Sequence, residues 1–146
     1  RDLFDEAKAA APDAVVTYAN YPPTEYLELS FFDVCTFNVF LHDETELASY
    51  LARLQLIAGP RPLLIGEVGA DSTSNGEEAQ ATLVAMQLRA ALGGGTCGAV
   101  VFSWTDEWWR GGRPVDDWAF GLVDGARRPK LALGAVQHVF QLGRFP

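Results

Sequence analysis

The sequence predicts an α/β fold in which four parallel strands alternate with helices. Two observations predict it. Short β-rich apolar runs are separated by segments whose apolar residues return at helical spacing, an order that implies a parallel sheet joined by right-handed crossovers. Polar and aromatic residues gather just after the C-terminal end of each run, the end where parallel α/β sheets build their sites.

The elements follow in order. Leu3, Phe4, Ala7, Ala10 and Ala11 recur at helical spacing and stop at Pro12 and Asp13, which predicts a first helix. Residues 14–20 are β-rich and end before Pro22 and Pro23, so a short buried strand is expected there. Thr24 is placed to cap a brief helical turn reaching Leu29. Residues 31–41 are almost continuously apolar, as in a strand covered on both faces. Residues 44–57 carry Leu47, Tyr50, Leu51, Leu54 and Ile57 on one helical face, and Gly59-Pro60 stops them. Residues 62–69 form the third strand and residues 71–76 a polar loop. A helix over residues 77–92 ends at Gly93-Gly94-Gly95. Residues 98–104 form the fourth strand, residues 105–124 a long irregular loop, and residues 130–142 the last helix.

Composition narrows the function classes. Of the 146 residues, 49% are hydrophobic and 21% charged, enough apolar material for a core. The net charge of -8 repels nucleic acid and anionic lipid, so neither is expected as a partner, and neutral sugars fit better. No run approaches the ~20 apolar residues of a membrane helix, so this segment is not expected to contact a membrane. Cys35 and Cys97 sit among apolar residues and are expected to be buried free thiols, which favours a reducing, cytoplasmic compartment without settling it. The scattered His42 and His138 and the lack of a Cys/His cluster argue against a metal; His42, ahead of Asp43 and Glu44, reads as a helix-start residue. No GxGxxG follows a strand, which argues against a dinucleotide fold, and no Gly-x-Ser-x-Gly elbow supports a serine hydrolase; no cofactor is expected. The run from Arg127 to Lys130 is expected to be a solvated helix start. The chain opens at Arg1, inside a helix, and is expected to be part of a longer one.

The candidate site residues are those at the strand ends. They are Asn20 after the first, Asn38 and Phe40 after the second, Glu67 at the third, and Trp104, Asp106 and Glu107 at the fourth. Glu67 closes an apolar run, where a carboxylate is costly unless partnered. It reads either as a nucleophile or acid/base group, or as a structural carboxylate holding a neighbouring loop. Trp104 offers a flat apolar face to a sugar ring, or simply packs. Asn38 could bond a sugar hydroxyl, hold Glu67, or satisfy local backbone. Trp108, Trp109 and Trp118 lie in the long loop, where some close the mouth.

Residues 63–69 (Leu-Leu-Ile-Gly-Glu-Val-Gly) resemble the seventh barrel strand of the family 2 glycoside hydrolases and their clan, whose catalytic nucleophile falls on Glu67. Residues 101–108 resemble the eighth strand, with its sugar-lining tryptophan at Trp104. Residues 37–40 resemble the sixth strand's Asn-x-Tyr, with Asn38 matching and Phe40 in place of the tyrosine. Residues 118–124, followed by Arg128-Pro129-Lys130, resemble the stretch before the last helix. The resemblance implies that residues 1–146 are the C-terminal half of a (β/α)8 TIM barrel, from the fourth helix to the eighth.

It further implies retaining hydrolysis of β-glycosidic bonds in the longer protein, with Glu67 as nucleophile and Asn38, Trp104, Asn20, Phe40, Asp106 and Glu107 lining the saccharide site. The family's acid/base glutamate belongs to strand four, before this chain, so the fragment alone is expected to be inactive. Asp106 and Glu107 are the nearby carboxylates, but they share a strand end adjacent to Glu67. The expected partners are carbohydrate, the missing N-terminal half-barrel, and a second copy bound through the open half-barrel. The alternatives are a non-catalytic saccharide-binding or accessory domain attached to a family 2 glycosyltransferase, and an unrelated α/β domain without a sugar role.

Overall fold

The computed structural model describes residues 1–142. The elements are α1 (Asp2–Ala10), β1 (Thr17–Asn20), a 3-10 turn (Pro22–Thr24), β2 (Val34–Asn38), α2 (Glu44–Ala58), β3 (Leu63–Val68), α3 (Ser72–Asn75), α4 (Glu77–Gly93), β4 (Gly98–Val101), β5 (Trp109–Arg110), β6 (Arg113–Pro114) and α5 (Leu131–Leu142). Strands β1 to β4 form one sheet in that order, every pair parallel.

The sheet has one covered and one open face. Cys35, Phe37, Leu63, Ile65 and Val68 alternate onto the covered face. There they meet Leu47, Leu51 and Leu54 of α2 and Val84, Leu88 and Ala91 of α4. Helix α5 adds Ala132, Val136 and Val139 against α4. Each buried Leu, Ile or Phe stabilises the fold by roughly 1.5–3 kcal/mol relative to leaving it in water. On the open face Val100 is 51% exposed, and the partly exposed Val34 and Leu64 share that side. Coverage on both faces was expected of the second strand; Cys35, Thr36 and Phe37 are buried there, while Val34 and Asn38 at its ends are partly exposed.

Local chemistry sets the element ends. The Asp43 carboxylate caps α2 by accepting from the Thr45 and Glu46 amides, 2.9 Å each. Gly59, at φ 60°, ends that helix. Asp33 ties α1 to β1 by accepting from Val16 N and pairing with Lys8, both at 2.8 Å.

Several expectations are corrected. The first strand is four residues long and mostly exposed rather than buried, because no helix follows it to cover its outer side. Thr24 closes the 3-10 turn instead of opening a helical one: its hydroxyl accepts from Tyr21 N at 3.1 Å. Phe31 and Phe32 lie outside the second strand and pack edge-on against Phe4 of α1. The polar loop contains α3, capped by Asp71. The long loop contains the β5–β6 hairpin. Cys35 is buried as expected, but Cys97 is exposed, since it precedes β4 at the rim of the sheet. Lys130 is buried rather than solvated, because it pairs with Asp106.

Candidate functional site at the C-terminal ends of the strands

Strict alternation along β3 would send Glu67 to the same side as Leu63 and Ile65, under the helices. A register shift prevents this. Phe37 pairs with Ile65, and the next residue of β2, Asn38, pairs with Glu67. Gly66 is therefore an extra residue, a bulge that reverses the parity of the strand end. Glu67 takes the open face, level with Asn38, and Val68 returns to the core with 1% exposure. A side chain at the bulge would crowd its neighbours. A Cβ on Gly66 would lie 2.7 Å from Asn38 Oδ1 and 2.8 Å from Thr36 Cγ2.

Burial raises the pKa of the half-buried Glu67 above the ordinary carboxylate value, and the Asn38 amide beside it pulls in the opposite direction. The Asn38 side-chain oxygen is buried without a hydrogen-bond partner among the described residues. A shallow depression beside it is lined by Tyr21, Pro22, Asn38, Phe40 and Leu41. Phe40 is 40% exposed and packs edge-on against Phe102 and Phe120, with ring centroids 5.9 Å away in both cases. Trp104, 59% exposed, follows β4 at the same end of the sheet.

Three other candidates stand apart from this group. Asn20 pairs in register with Phe37 and so faces the covered side. It lines a separate cavity with Cys35, Phe37, Ile57 and Arg61, and its oxygen accepts from Thr24 Oγ1 at 3.2 Å. Asp106 is engaged structurally: it accepts from Gly121 N at 2.6 Å and from Lys130 Nζ at 3.0 and 3.1 Å. Glu107 is 48% exposed and pairs with Arg127 at 2.6 Å. Glu67 combines a raised pKa with an open-face position. Asp71 runs the other way. Burial pushes its pKa up, but bonds from the Ser74 hydroxyl and the Ala119, Ser74 and Thr73 amides outweigh that and hold it down.

The supporting residues hardest to see in the sequence are Gln80 and Gln87 of α4, both fully buried. Gln87 Nε2 donates to Leu41 O (2.9 Å) and Gly69 O (3.3 Å), joining the chain beyond β2 to the chain beyond β3. Gln80 Nε2 donates to the carbonyls of Ala70, Ala119 and Gly121, at 3.0–3.2 Å. The two lie seven residues apart, in phase with the apolar stripe of Val84, Leu88 and Ala91. A glutamine in that stripe was the available signal. Gly69 belongs to the same framework: a Cβ there would fall 2.2 Å from Phe102 O. Among the described residues no group of three or more His, Cys, Asp and Glu is placed to hold a metal ion.

No family model and no curated protein sequence matches the chain. Solved structures do. The chain is similar to GH5_18 from Streptomyces cattleya in complex with GlcNAc: TM-score 0.81 and 19% identity, over 99% of this chain and 41% of that one. It is similar to an FMN-binding β-glucuronidase from Facaelibacterium prausnitzii L2-6, with TM-score 0.79 and 17% identity, over 94% of this chain and 25% of that one. Native xylanase 10B from Thermotoga maritima matches with TM-score 0.66 and 19% identity, over 97% of this chain and 51% of that one. The chain thus spans about half or less of each of these structures. At such identities the likeness shows the fold: four parallel strands alternating with helices, matching part of a (β/α)8 barrel of the kind glycosidases use.

Proposed function

We propose that this chain is the C-terminal half of a (β/α)8 barrel of a retaining β-glycosidase, in which Glu67 is the nucleophile. One observation carries the reading: the bulge at Gly66 turns the Glu67 carboxylate onto the open face beside Asn38 instead of burying it under α2 and α4. The open face of a half-barrel becomes the interior when the sheet closes. A partly desolvated carboxylate holds its charge at a cost, and attack on an anomeric carbon relieves it. Trp104 supplies an exposed indole for the apolar side of a sugar ring, and Asn38 a polar group for a hydroxyl. Asn20 turns to the covered side, and Asp106 and Glu107 hold Lys130 and Arg127, so the mechanism is drawn through Glu67, Asn38 and Trp104.

Retaining hydrolysis needs a second carboxyl roughly 5–5.5 Å from the first. That acid comes from the other half of the barrel, and the isolated chain is inactive. The two sheet edges and the open apolar face are covered by that half, and in the isolated chain by a second copy. Size-exclusion chromatography tests the second point: a monomer at all concentrations refutes pairing of copies. The test of the main reading is Glu67→Gln in the longer protein with both halves present. Turnover is lost if the reading holds, and unchanged turnover refutes it.

Phe40 favours a second reading. A phenyl ring lacks the hydroxyl that would donate a hydrogen bond to the nucleophile at that position. This suits a saccharide-binding accessory domain, including one attached to a family 2 glycosyltransferase. Saccharide binding without turnover in the two-half protein selects it.

A further inference from the structure

Asn38 and Glu67 meet where the β2–β3 ladder stops. A backbone bond from Val39 N to Glu67 O, at 2.8 Å, closes it. Leu41 and Gly69, just beyond, belong to no strand, so no sheet bond holds them at a fixed separation. Gln87 of α4 spans that gap with a single nitrogen, which donates to Leu41 O at 2.9 Å and to Gly69 O at 3.3 Å. Leu41 lies three residues past Asn38, and Gly69 two past Glu67. Among the described residues, these two bonds are what ties the one segment to the other.

The next junction, between the segments that follow β3 and β4, is tied several times over. Gln80 donates across it, Asp71 Oδ1 accepts from Ala119 N at 2.7 Å, Ser72 N donates to Ala119 O at 2.9 Å, and Lys130 bonds both Ser72 and Ala119. Losing Gln80 leaves that junction held; losing Gln87 leaves its own without a side-chain tie. Packing alone does not favour glutamine at position 87. The residue is fully buried and its Oε1 has no partner among the described residues, a cost that an apolar side chain of similar length avoids. What glutamine adds there is the pair of donated bonds.

We propose that Gln87 is a positioning residue for Glu67: by holding Leu41 and Gly69 on one amide, it fixes the separation of the β2 and β3 ends and so keeps Asn38 against the carboxylate. The same hold keeps Phe40, between Asn38 and Leu41, edge-on to Phe102 and Phe120. Gln87 touches no reacting group and acts through the backbone of its neighbours. Its consequence for turnover rests on the reading of Glu67 as nucleophile. The geometry itself is measured on Asn38 and Glu67 without any substrate, so the two fail separately.

The test is a double-mutant cycle read by NMR titration of Glu67 in the carboxyl-labelled chain. The Asn38 amide lowers the Glu67 pKa, so Asn38→Ala is expected to raise the titration midpoint. In a Gln87→Met background that rise is expected to shrink by roughly half or more, whereas Gln80→Met leaves it intact. A side chain that only stabilises the fold lowers the urea midpoint in both backgrounds without removing the coupling. An Asn38→Ala shift that is the same with and without Gln87 overturns the inference and leaves the nucleophile reading standing. If Gln87→Met does not fold, the unmodified chain decides. Coupling is reciprocal, so the Gln87 side-chain nitrogen resonance is expected to titrate with the midpoint of Glu67, and a resonance flat across that range overturns the inference. In the longer protein with both halves, Gln87→Met is expected to lower kcat about tenfold or more with little change in KM, because misplacement on the order of 1 Å is that costly. Unchanged kcat beside a lost coupling overturns the positioning role in the reaction.

Discussion

Replacing Lys130 by methionine tests whether the strand-end loop is held by a buried ion pair. The Lys130 side chain is 4% exposed, and its ammonium donates to Ser72 Oγ at 2.8 Å, Ala119 O at 3.1 Å and both oxygens of Asp106. Methionine keeps most of the volume and removes the charge. The Asp106 carboxylate, 19% exposed, then keeps the Gly121 amide as its one remaining bond among the described residues. Breaking a buried pair costs about 3–5 kcal/mol, and partial access of Asp106 to water puts this one near 3. For a domain of this size that corresponds to a fall in Tm of roughly 6–12 °C.

Urea unfolding followed by circular dichroism measures the cost directly. Two companions bracket it. Asp106→Asn combined with Lys130→Met removes both charges and recovers much of the loss, since no charge is then buried alone. Glu107→Gln removes the exposed pair with Arg127 and costs only about 0–1 kcal/mol. If Lys130→Met costs no more than Glu107→Gln, the buried pair is not what holds the loop and the reasoning fails.

Other outcomes follow from the same geometry. The raised pKa of Glu67 means that the folded state favours its protonated form. The associated stability is complete below the unfolded carboxylate pKa and is lost as pH rises through the folded value, so Glu67→Gln should raise Tm at pH 7 and change it least near pH 3. Asp71 has the opposite sign: its contribution holds above the unfolded pKa and disappears as pH falls through the lowered folded value, and Asp71→Asn should flatten the acid side of the Tm–pH curve. Gly66→Ala should push Asn38 aside and raise the Glu67 pKa further, read by NMR titration of a carboxyl-labelled glutamate; an unchanged value would refute the role of the bulge. Gly69→Ala brings a methyl against Phe102 O and should cost about 1–3 kcal/mol in the same urea assay.

The sequence by itself determined the alternation of strands and helices, because that rests on local periodicity. Leu47, Leu51 and Leu54 place their helix, Leu63 and Ile65 their strand, and Glu67 the polar end of that strand, whatever the rest of the chain does. It also put Asn38, Glu67 and Trp104 at one end of the sheet, since parallel strands share a direction. Only the tertiary structure decided which way those side chains turn. Two-residue alternation counted from Ile65 sends Glu67 into the core, and the bulge opposite Asn38 reverses the count. Asn20 ends its strand as Asn38 does, yet its register with Phe37 turns it to the covered side. Asp106 and Lys130 lie 24 residues apart, and nothing in either local pattern announces the pair. Contacts of this kind depend on where the chain returns in space, and local patterns of hydrophobicity carry no record of it.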